Sequence, residues 1–284
     1  MTIVDIVVAV RNEELTIPRF IDEVRSLRLP EGVRTRILFV EDGSTDQTLD
    51  LLRSQSRHDP SIQYYSLTNP FGQVGALSMG LAHASGDAVI MMDVDGSHPV
   101  DILPEMIAEF LAGADIVQGV RLVIQKRAPQ RRLGSWCFNG LIWVLTGFQT
   151  STQNVYFRLV SLAVCKEIIA NPRNLRFLRI TFIDRANLKA RRLYFTSEAR
   201  RLGQSKYDLR RLALLSIDAV LSVVGTARFA AWMVVCVGVA TVLWRLRYRP
   251  AAFALLAFVA AAVTKFALLC REDILGKLKI VEHS

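Results

Sequence analysis

Residues 89–99 read Val89-Ile90-Met91-Met92-Asp93-Val94-Asp95-Gly96-Ser97-His98-Pro99, an apolar run that ends at two carboxylates. Four successive apolar residues predict a buried parallel strand, and the polar residues after them predict a loop at its carboxyl end, where α/β sheets bind ligands. Because side chains at i and i+2 of an extended segment point the same way, Asp93 and Asp95 can face one cation together. Carboxylate oxygens suit Mg²⁺ or Mn²⁺ shared with substrate phosphates. Two solvated loop aspartates would give the same tripeptide.

Strand-like and helix-like patterns alternate on both sides of this stretch. The predicted strands cover residues 3–10, 35–40, 62–67, 88–92 and 116–120, and the predicted helices cover residues 15–27, 48–52, 72–83 and 103–111. This alternation predicts an α/β fold with a mostly parallel central sheet. Parallel strands end at one common edge, so Asn12, Glu13 and Asp42 can converge there with the Asp93/Asp95 pair. No Gly-x-Gly-x-x-Gly pattern follows the first strand, which argues against an NAD-binding domain.

Charge is distributed unevenly along the 284 residues, whose net charge is +9. Residues 1–117 carry 8 Lys and Arg against 18 Asp and Glu, whereas residues 118–284 carry 27 against 8. An acidic part followed by a basic and then apolar part favours a domain that leads to a membrane surface. Nucleic acid is not an expected partner, because the basic part has no nucleic-acid-binding signature.

The cysteines and the first residues bear on the compartment. The four cysteines, Cys137, Cys165, Cys236 and Cys270, have no metal-binding spacing and fit a reducing compartment. The apolar residues 3–10 include Asp5 and lack both a basic segment before them and a cleavage site. They therefore predict a first strand rather than a signal peptide.

Two apolar runs near the end of the sequence predict a transmembrane helical hairpin. Residues 229–244 are uninterrupted, and residues 251–270 are interrupted only by Lys265. Spans over about 227–245 and 251–270 would approach the roughly 20 residues that a bilayer requires. Buried helices of a soluble core are the alternative. The predicted organisation is an α/β domain over 1–211, an interface helix over 212–228, and the hairpin with a short tail over 229–284.

Four motifs resemble those of glycosyltransferase family 2, and within it the polyprenyl-phosphate glycosyltransferases. They are Val8-Ala9-Val10-Arg11-Asn12-Glu13-Glu14, Val40-Glu41-Asp42-Gly43-Ser44-Thr45-Asp46, Gly75 through Gly86-Asp87, and Met92-Asp93-Val94-Asp95. The resemblance covers about residues 3–211. It implies the nucleotide-diphospho-sugar transferase (GT-A) fold and an inverting transfer of one sugar from a nucleoside-diphosphate donor.

The resemblance also implies roles for residues on the donor side. The implied donor-binding residues are Ala9, Arg11, Glu13, Asp42, Gln73, Asp93, Val94 and Asp95. Glu13 and Asp42 would hold the base and ribose, and carboxylates accept hydrogen bonds from ring N–H groups. The implied metal residues are Asp93, Asp95 and Ser97, although many relatives carry Gln at the last position. A turn residue before a helix is the alternative interpretation of Asp42.

On the acceptor side, the resemblance points to a set of basic residues. The implied acceptor-phosphate residues are Arg121, Arg131, Arg132, Ser135, Arg158, Arg200 and Lys206. Clustered guanidinium groups bind a phosphomonoester through charge-assisted bonds, so Arg131 and Arg200 are also expected to act in catalysis beside Asp93 and Asp95. A solvated basic loop facing anionic headgroups is the alternative. Apolar residues and tryptophans near 133–147 predict an interfacial helix beside this site.

The expected function is transfer of a sugar from a UDP- or GDP-sugar to undecaprenyl or dolichyl phosphate, with Mg²⁺ or Mn²⁺. The expected location is the membrane, with the catalytic domain in the cytoplasm. A homo-oligomer is compatible with close helix packing at Gly225 and Gly238. Two alternatives remain: a family 2 transferase with a polysaccharide or glycolipid acceptor, and a non-catalytic membrane scaffold.

Overall fold

The computed structural model describes residues 1–122, 154–170, 188–196, 226–271 and 280–284. The chain divides into two compact units. The first comprises Met1–Arg127, Ser151–Ser205 and Ile274–Ser284, and the second comprises Ala128–Thr150 and Lys206–Asp273. The first unit contains the sheet and the second contains two long helices.

The first unit is built on an eight-stranded sheet of order β7-β5-β6-β4-β1-β2-β3-β8. Its strands are β1 (Thr2–Val10), β2 (Val33–Glu41), β3 (Ile62–Leu67), β4 (Ala88–Met92), β5 (Ile116–Leu122), β6 (Asn154–Ser161), β7 (Ala190–Thr196) and β8 (Ile280–His283). Its helices are α1 (Ile17–Arg25), α2 (Thr48–His58), α3 (Gly72–His83), α4 (Leu103–Leu111) and α5 (Leu162–Ile169), with a 3-10 turn over Val100–Ile102.

The sheet is mixed around a parallel centre. Strands β4, β1, β2 and β3 are parallel to one another, while β6 runs antiparallel to both β4 and β5 and β8 runs antiparallel to β3. The five strands predicted from the sequence are all present. The α/β class is confirmed, and the order places the carboxyl ends of β1, β2, β3 and β4 side by side. We call this line the carboxyl edge.

Apolar packing on both faces explains why the central strands are continuous hydrophobic runs. One face of β1 packs with α1 and α4 through residues such as Ile6 and Val8, and the other packs with α3 and α5 through Val7. Helix α3 lies very close to the sheet, because a Cβ at Gly80 would be only 2.3 Å from Val7 Cγ1. This close contact holds the second half of α3 against β1 and β2.

The second unit contains the helices α6 (Thr226–Arg245) and α7 (Arg249–Arg271), which pack as a hairpin. Edge-to-face contacts join Trp232 to Phe258, at 6.0 Å between centroids, and Trp244 to Phe253, at 5.1 Å. Among the residues that the structure describes, no helix combines the length and apolar character needed to cross a membrane. Two helices occupy the predicted segments to within two residues of the predicted ends, but their prediction as membrane spans is not supported.

Strand β8 follows the helices and extends the sheet beyond β3, in a segment that the sequence had assigned to a tail. Tyr64 Oη donates a hydrogen bond of 2.6 Å to Glu282 Oε1, and the Arg53 guanidinium forms an ion pair with the same carboxylate. These contacts, with Arg53 the larger cause, lower the pKa of Glu282 to about 2. The last strand is therefore held to the sheet by a charged contact as well as by its backbone pairing.

The Glu282 contact predicts a loss of stability in acid. A carboxylate whose pKa is depressed on folding stabilises the fold above its unfolded pKa, and that contribution is lost as the pH falls from about 5 to about 2. We expect Glu282→Gln to lower the urea midpoint at pH 7 and to match the wild type near pH 2. Exposed Glu31→Gln is the control and should follow the wild type throughout. A gap between wild type and Glu282→Gln that persists unchanged at pH 2 would contradict the assignment.

Candidate active site

The Asp93/Asp95 pair lies immediately after β4, at the end of the carboxyl edge that adjoins β6. Gly96 has a φ of +74°, and the Ser97 amide donates a 3.0 Å hydrogen bond to Asp95 Oδ1, so the loop turns sharply after the second carboxylate. Val94 lies between the two acids with its side chain in the core. Any contact of Val94 with a donor would therefore come from its backbone. We call residues 93–98 the acidic loop.

His98 closes the acidic loop and was not identified as a functional residue from the sequence. Its Nδ1 accepts a 2.9 Å hydrogen bond from the Asp93 amide, which places the ring proton on Nε2. The 3.7 Å separation of Nδ1 from Asp93 Oδ2 is therefore not an ion pair. The ring is 2% exposed and stacks on Phe157, with centroids 4.8 Å apart, and its edge-to-face contact with Phe195 is 6.2 Å.

Helix α3 reaches the acidic loop through its first turn. Gln73 Nε2 donates a 2.6 Å hydrogen bond to Asp93 Oδ1. At the same helix end, Asp42 accepts from the amides of Phe71 (2.6 Å) and Gly72 (2.8 Å), one at each carboxylate oxygen. Asp42 is 4% exposed, and burial raises its pKa even though these amides and the charge of Arg11 lower it. Asp42 thus holds the start of α3 as well as lying in the predicted donor crevice.

The loops after β1 and β2 are joined by reciprocal hydrogen bonds. Asn12, with a φ of +57°, donates from its amide to Ser44 Oγ (3.0 Å) and accepts from the Thr45 amide at Oδ1 (2.8 Å). The Glu13 amide donates to Thr48 Oγ1 (2.9 Å). Asparagine tolerates the left-handed conformation because its short polar side chain bonds locally. The two loops therefore form one rigid wall of the crevice.

Four predicted donor-side residues line or support this wall. The Glu13 carboxylate accepts from Thr16 Oγ1 at 2.5 Å, and exposed Arg11 lies close enough to Asp42 to interact electrostatically. Ala9 is the second-to-last residue of β1 and pairs with Val40 of β2. The structure therefore places Ala9, Arg11, Glu13 and Asp42 on adjacent loops and strand ends, as the sequence predicted, and Gln73 beside Asp93.

The strands on the other side of β4 carry the predicted acceptor residues that the structure describes. Arg121 donates from Nη2 to the Ser97 carbonyl at 3.1 Å, so it contacts the acidic loop directly. Arg158 is completely buried in β6, where it pairs with Met91 of β4. The other predicted acceptor residues, Arg131, Arg132, Ser135, Arg200 and Lys206, lie outside the described residues, as does the predicted interfacial helix near 133–147. Their roles stay predictions.

The donor set at the acidic loop fits a hard divalent cation. Asp93 and Asp95 supply carboxylate oxygens, the ligands that Mg²⁺ and Mn²⁺ prefer, and such ions are usually held by one or two carboxylates with substrate phosphates completing the shell. Within the described ranges, no group of three or more His, Cys, Asp and Glu side chains could hold a metal ion. Ser97, the third predicted metal residue, contacts Asp95 and Arg121 through its backbone.

Comparison with known proteins gives relatives that act on sugars. The Glycosyl transferase family 2 model matches residues 5–170. The chain is 41% identical over 118 residues, 42% of its length, to a bactoprenol glucosyl transferase of Shigella phage SfV. It is 29% identical over 223 residues, 76% of its length, to undecaprenyl-phosphate 4-deoxy-4-formamido-L-arabinose transferase of Salmonella paratyphi B. It spans 38% and 66% of the lengths of these two relatives.

A solved structure shares the fold. Glucosyl-3-phosphoglycerate synthase from Mycobacterium tuberculosis, in complex with Mn²⁺, UDP and glucosyl-3-phosphoglycerate, matches with a TM-score of 0.51 at 19% identity over 80% of each chain. The likeness supports a GT-A-like α/β fold with a mixed central sheet. Since the family model covers more than half of the sequence, this chain belongs to glycosyl transferase family 2 and is a glycosyltransferase.

Proposed function

We propose that this chain transfers one sugar from a UDP- or GDP-sugar to a polyprenyl phosphate, with inversion at the anomeric carbon. The observation that carries the proposal is the Asp93/Asp95 pair at the end of β4, beside the wall formed by the β1 and β2 loops. Relatives named as bactoprenol and undecaprenyl-phosphate transferases support the acceptor class. The Mn²⁺ and UDP named in the complex of the structural neighbour support the donor class.

The donor would lie along the carboxyl edge of the sheet. Its base and ribose would contact the wall that carries Arg11, Glu13 and Asp42, and its diphosphate would point to Asp93 and Asp95. When bound there, a divalent cation would neutralise negative charge on the leaving nucleoside diphosphate. Gln73 would keep Asp93 in place through its 2.6 Å bond, while Arg121 would restrain the acidic loop from the opposite side.

The chemistry proposed for the acceptor needs no general base. A phosphate oxygen of the lipid attacks the anomeric carbon as the bond from that carbon to the diphosphate oxygen breaks, and the bonding electrons leave with the nucleoside diphosphate. The attacking oxygen is already anionic near neutral pH, so no proton must be removed. Positioning and charge stabilisation can then supply most of the rate enhancement. Arg131 and Arg200 are proposed to neutralise the acceptor phosphate.

A membrane surface is the proposed location, because the acceptor is a lipid. The hairpin of α6 and α7 exposes large apolar side chains, among them Val234, Val242, Phe253 and Phe258. Such patches on a protein surface mark sites of contact with proteins or membranes. Flotation with vesicles of bacterial lipids tests the proposal. We expect the chain to rise with the vesicles. Recovery of the chain only in the lipid-free fraction at the bottom of the gradient would contradict the proposed location.

The reaction is tested by incubating the purified protein in detergent with undecaprenyl or dolichyl phosphate, Mg²⁺ or Mn²⁺, and a panel of labelled UDP- and GDP-sugars. We expect label in the lipid phase with one donor and none after chelation of the metal by EDTA. Transfer to water or to a diacylglycerol in place of the polyprenyl phosphate would overturn the acceptor assignment. Failure of every donor, despite metal-dependent nucleotide binding, would do the same.

The donor crevice predicts a defined effect of Asp42→Ala. Removing the carboxylate leaves the Phe71 and Gly72 amides without their acceptor, and loss of a helix cap of this kind costs about 0.5–2 kcal/mol. We also expect at least a tenfold weaker affinity for the nucleoside diphosphate, because the start of α3 and Gln73 would shift. Asp42→Asn, which keeps one acceptor oxygen, should lie between. Calorimetric titration and urea unfolding measure both effects, and an unchanged affinity would remove Asp42 from the donor site.

A further inference from the structure

The acidic loop is held at its first residue by a buried histidine. His98 Nδ1 accepts from the Asp93 amide at 2.9 Å, so the bond spans the whole loop from its last residue to its first. Gln73 holds the Asp93 side chain, and Arg121 holds the carbonyl of Ser97. Position and orientation of the first carboxylate therefore depend on where the imidazole ring is fixed.

Two strands fix that ring. Phe157 of β6 stacks on it with an interplanar angle of 11°, and Phe195 of β7 meets it edge to face at 87°. The two phenyl rings also contact each other, with centroids 5.4 Å apart. A Cβ at Gly119 of β5 would be 2.8 Å from Phe157 Cδ1, so this glycine leaves the space that the phenyl ring fills. We call His98, Phe157 and Phe195 the aromatic clamp.

We propose that His98 is a positioning residue for the metal site. Through this histidine, the aromatic clamp holds the Asp93 carboxylate in a fixed position relative to β6 and β7. The inference rests on the proposed function, since it concerns the cation that Asp93 and Asp95 would hold. In this proposal Nδ1 of His98 positions Asp93 by accepting the hydrogen bond from its amide, and the contacts with Phe157 and Phe195 hold the imidazole ring in place. Hydrogen-bonded partners of metal ligands commonly change metal affinity by about 10–100-fold when they are replaced.

Two substitutions separate the hydrogen bond from the stack. His98→Phe keeps a flat ring between Phe157 and Phe195 but loses the acceptor. His98→Asn keeps an acceptor oxygen near the position of Nδ1 but loses the ring. If Nδ1 is what positions Asp93, His98→Phe should be the more damaging change at the metal site, although it preserves more of the packing. If His98 only fills space in the core, the order should be reversed.

The matched control is His83→Phe. His83 Nδ1 donates a 2.9 Å hydrogen bond to the Met79 carbonyl of its own helix, and the centroid of its ring lies 4.4 Å from that of Tyr65. It lies at the end of α3 that is remote from Gln73. The same chemical change at His83 should leave the acidic loop unaffected, so an effect seen at both positions would overturn the specific role of His98.

The first readout is hydrogen exchange at the Asp93 amide in metal-free protein. We expect the Asp93 amide to be protected from exchange in the wild type. Its protection factor should fall at least tenfold in His98→Phe and by less in His98→Asn. An unprotected Asp93 amide in the wild type would overturn the proposal without any variant, so the test survives if His98→Phe fails to fold. Thermal unfolding of each variant separates local loss of protection from global destabilisation.

The second readout is the binding of Mn²⁺, which is measured by electron paramagnetic resonance. The titration is done once in the presence of UDP and once in the presence of GDP. We expect the half-saturating Mn²⁺ concentration to rise by about 10-fold or more in His98→Phe and by less in His98→Asn. Equal Mn²⁺ binding by wild type and a folded His98→Phe would overturn the inference. Neither readout uses a sugar donor or a lipid, so failure of sugar transfer in the wild type would contradict the proposed function and leave this inference standing.

Discussion

Asp95→Asn is expected to reduce sugar transfer by roughly 10³-fold or more while the protein remains folded. Metal-ion stabilisation of a leaving group contributes several kcal/mol, and about 4 kcal/mol corresponds to 10³ in rate. The variant keeps an amide oxygen that can still accept from the Ser97 amide, whose bond to Asp95 Oδ1 is 3.0 Å. The substitution removes the negative charge and replaces one carboxylate oxygen with an NH2 group of similar size. The measurement is label transfer to lipid at saturating donor, with thermal unfolding alongside.

A second aspartate on the same segment provides the control for Asp95. Asp101 is exposed in the 3-10 turn that follows the acidic loop, and the same change to Asn should leave transfer within about twofold of the wild type. Metal-dependent nucleotide binding should weaken in Asp95→Asn and not in Asp101→Asn. Transfer by Asp95→Asn within threefold of the wild type would contradict the role of this carboxylate in catalysis.

The parallel centre of the sheet could be predicted because its strands are buried on both faces. Short apolar runs such as 88–92, and residues 3–10 with Asp5 as their one charged residue, favour buried strands, and the helix-like spacing between them supplies the crossovers. The predicted ends of α3 and α4 agree with the observed helices, residues 72–83 and 103–111. In α3 and α4 the local residue pattern and the packing against the sheet favour the same helix, so the ends of these helices could be predicted from the sequence.

The outer strands were not predicted for an equally physical reason. Strand β8 covers four residues, 280–283, and its position depends on a pairing with β3 and on the contact of Glu282 with Arg53, residues more than 200 positions apart. No short-range pattern records such a contact. Strand β7 has mostly exposed side chains, with only Phe195 buried, so its apolar signal was weak.

The sequence pointed to the carboxylates of the candidate site, and to Gln73 and Arg121 beside them, but not to the buried histidine that contacts the Asp93 amide. Asp93 and Asp95 stand out because acids directly after a buried strand need a reason. His98 does not stand out, because a histidine two residues before a structured turn has many uses, and only the structure shows Phe157 and Phe195 around it. A signal was nevertheless present: His98 follows the second acid by three residues, within reach of the Asp93 backbone.

Asp5→Ala is expected to lower the free energy of unfolding by about 3–5 kcal/mol, the cost of breaking a buried ion pair. Asp5 is 2% exposed and accepts from Arg36 at 2.8 and 3.0 Å, and from the Ser85 and Gly86 amides at 2.8 Å each. Arg36 keeps 28% of its side chain exposed, so water can solvate it in the variant. We therefore expect the lower end of the range, measured by urea unfolding.

The exposed pair of Asp22 and Arg25 is the matched control for Asp5. Asp22 is 80% exposed with its partner at 3.9 Å, and Asp22→Ala should change stability by less than about 0.5 kcal/mol.

Asp5 is four residues before Ala9 on β1, about 13 Å from the carboxyl edge. The folded fraction of Asp5→Ala should therefore bind the nucleoside diphosphate with unchanged affinity. A weaker affinity in fully folded Asp5→Ala would show that the amino half of β1 also shapes the donor crevice. A decrease of less than about 1 kcal/mol in the free energy of unfolding of Asp5→Ala would contradict the structural role of the Asp5–Arg36 pair.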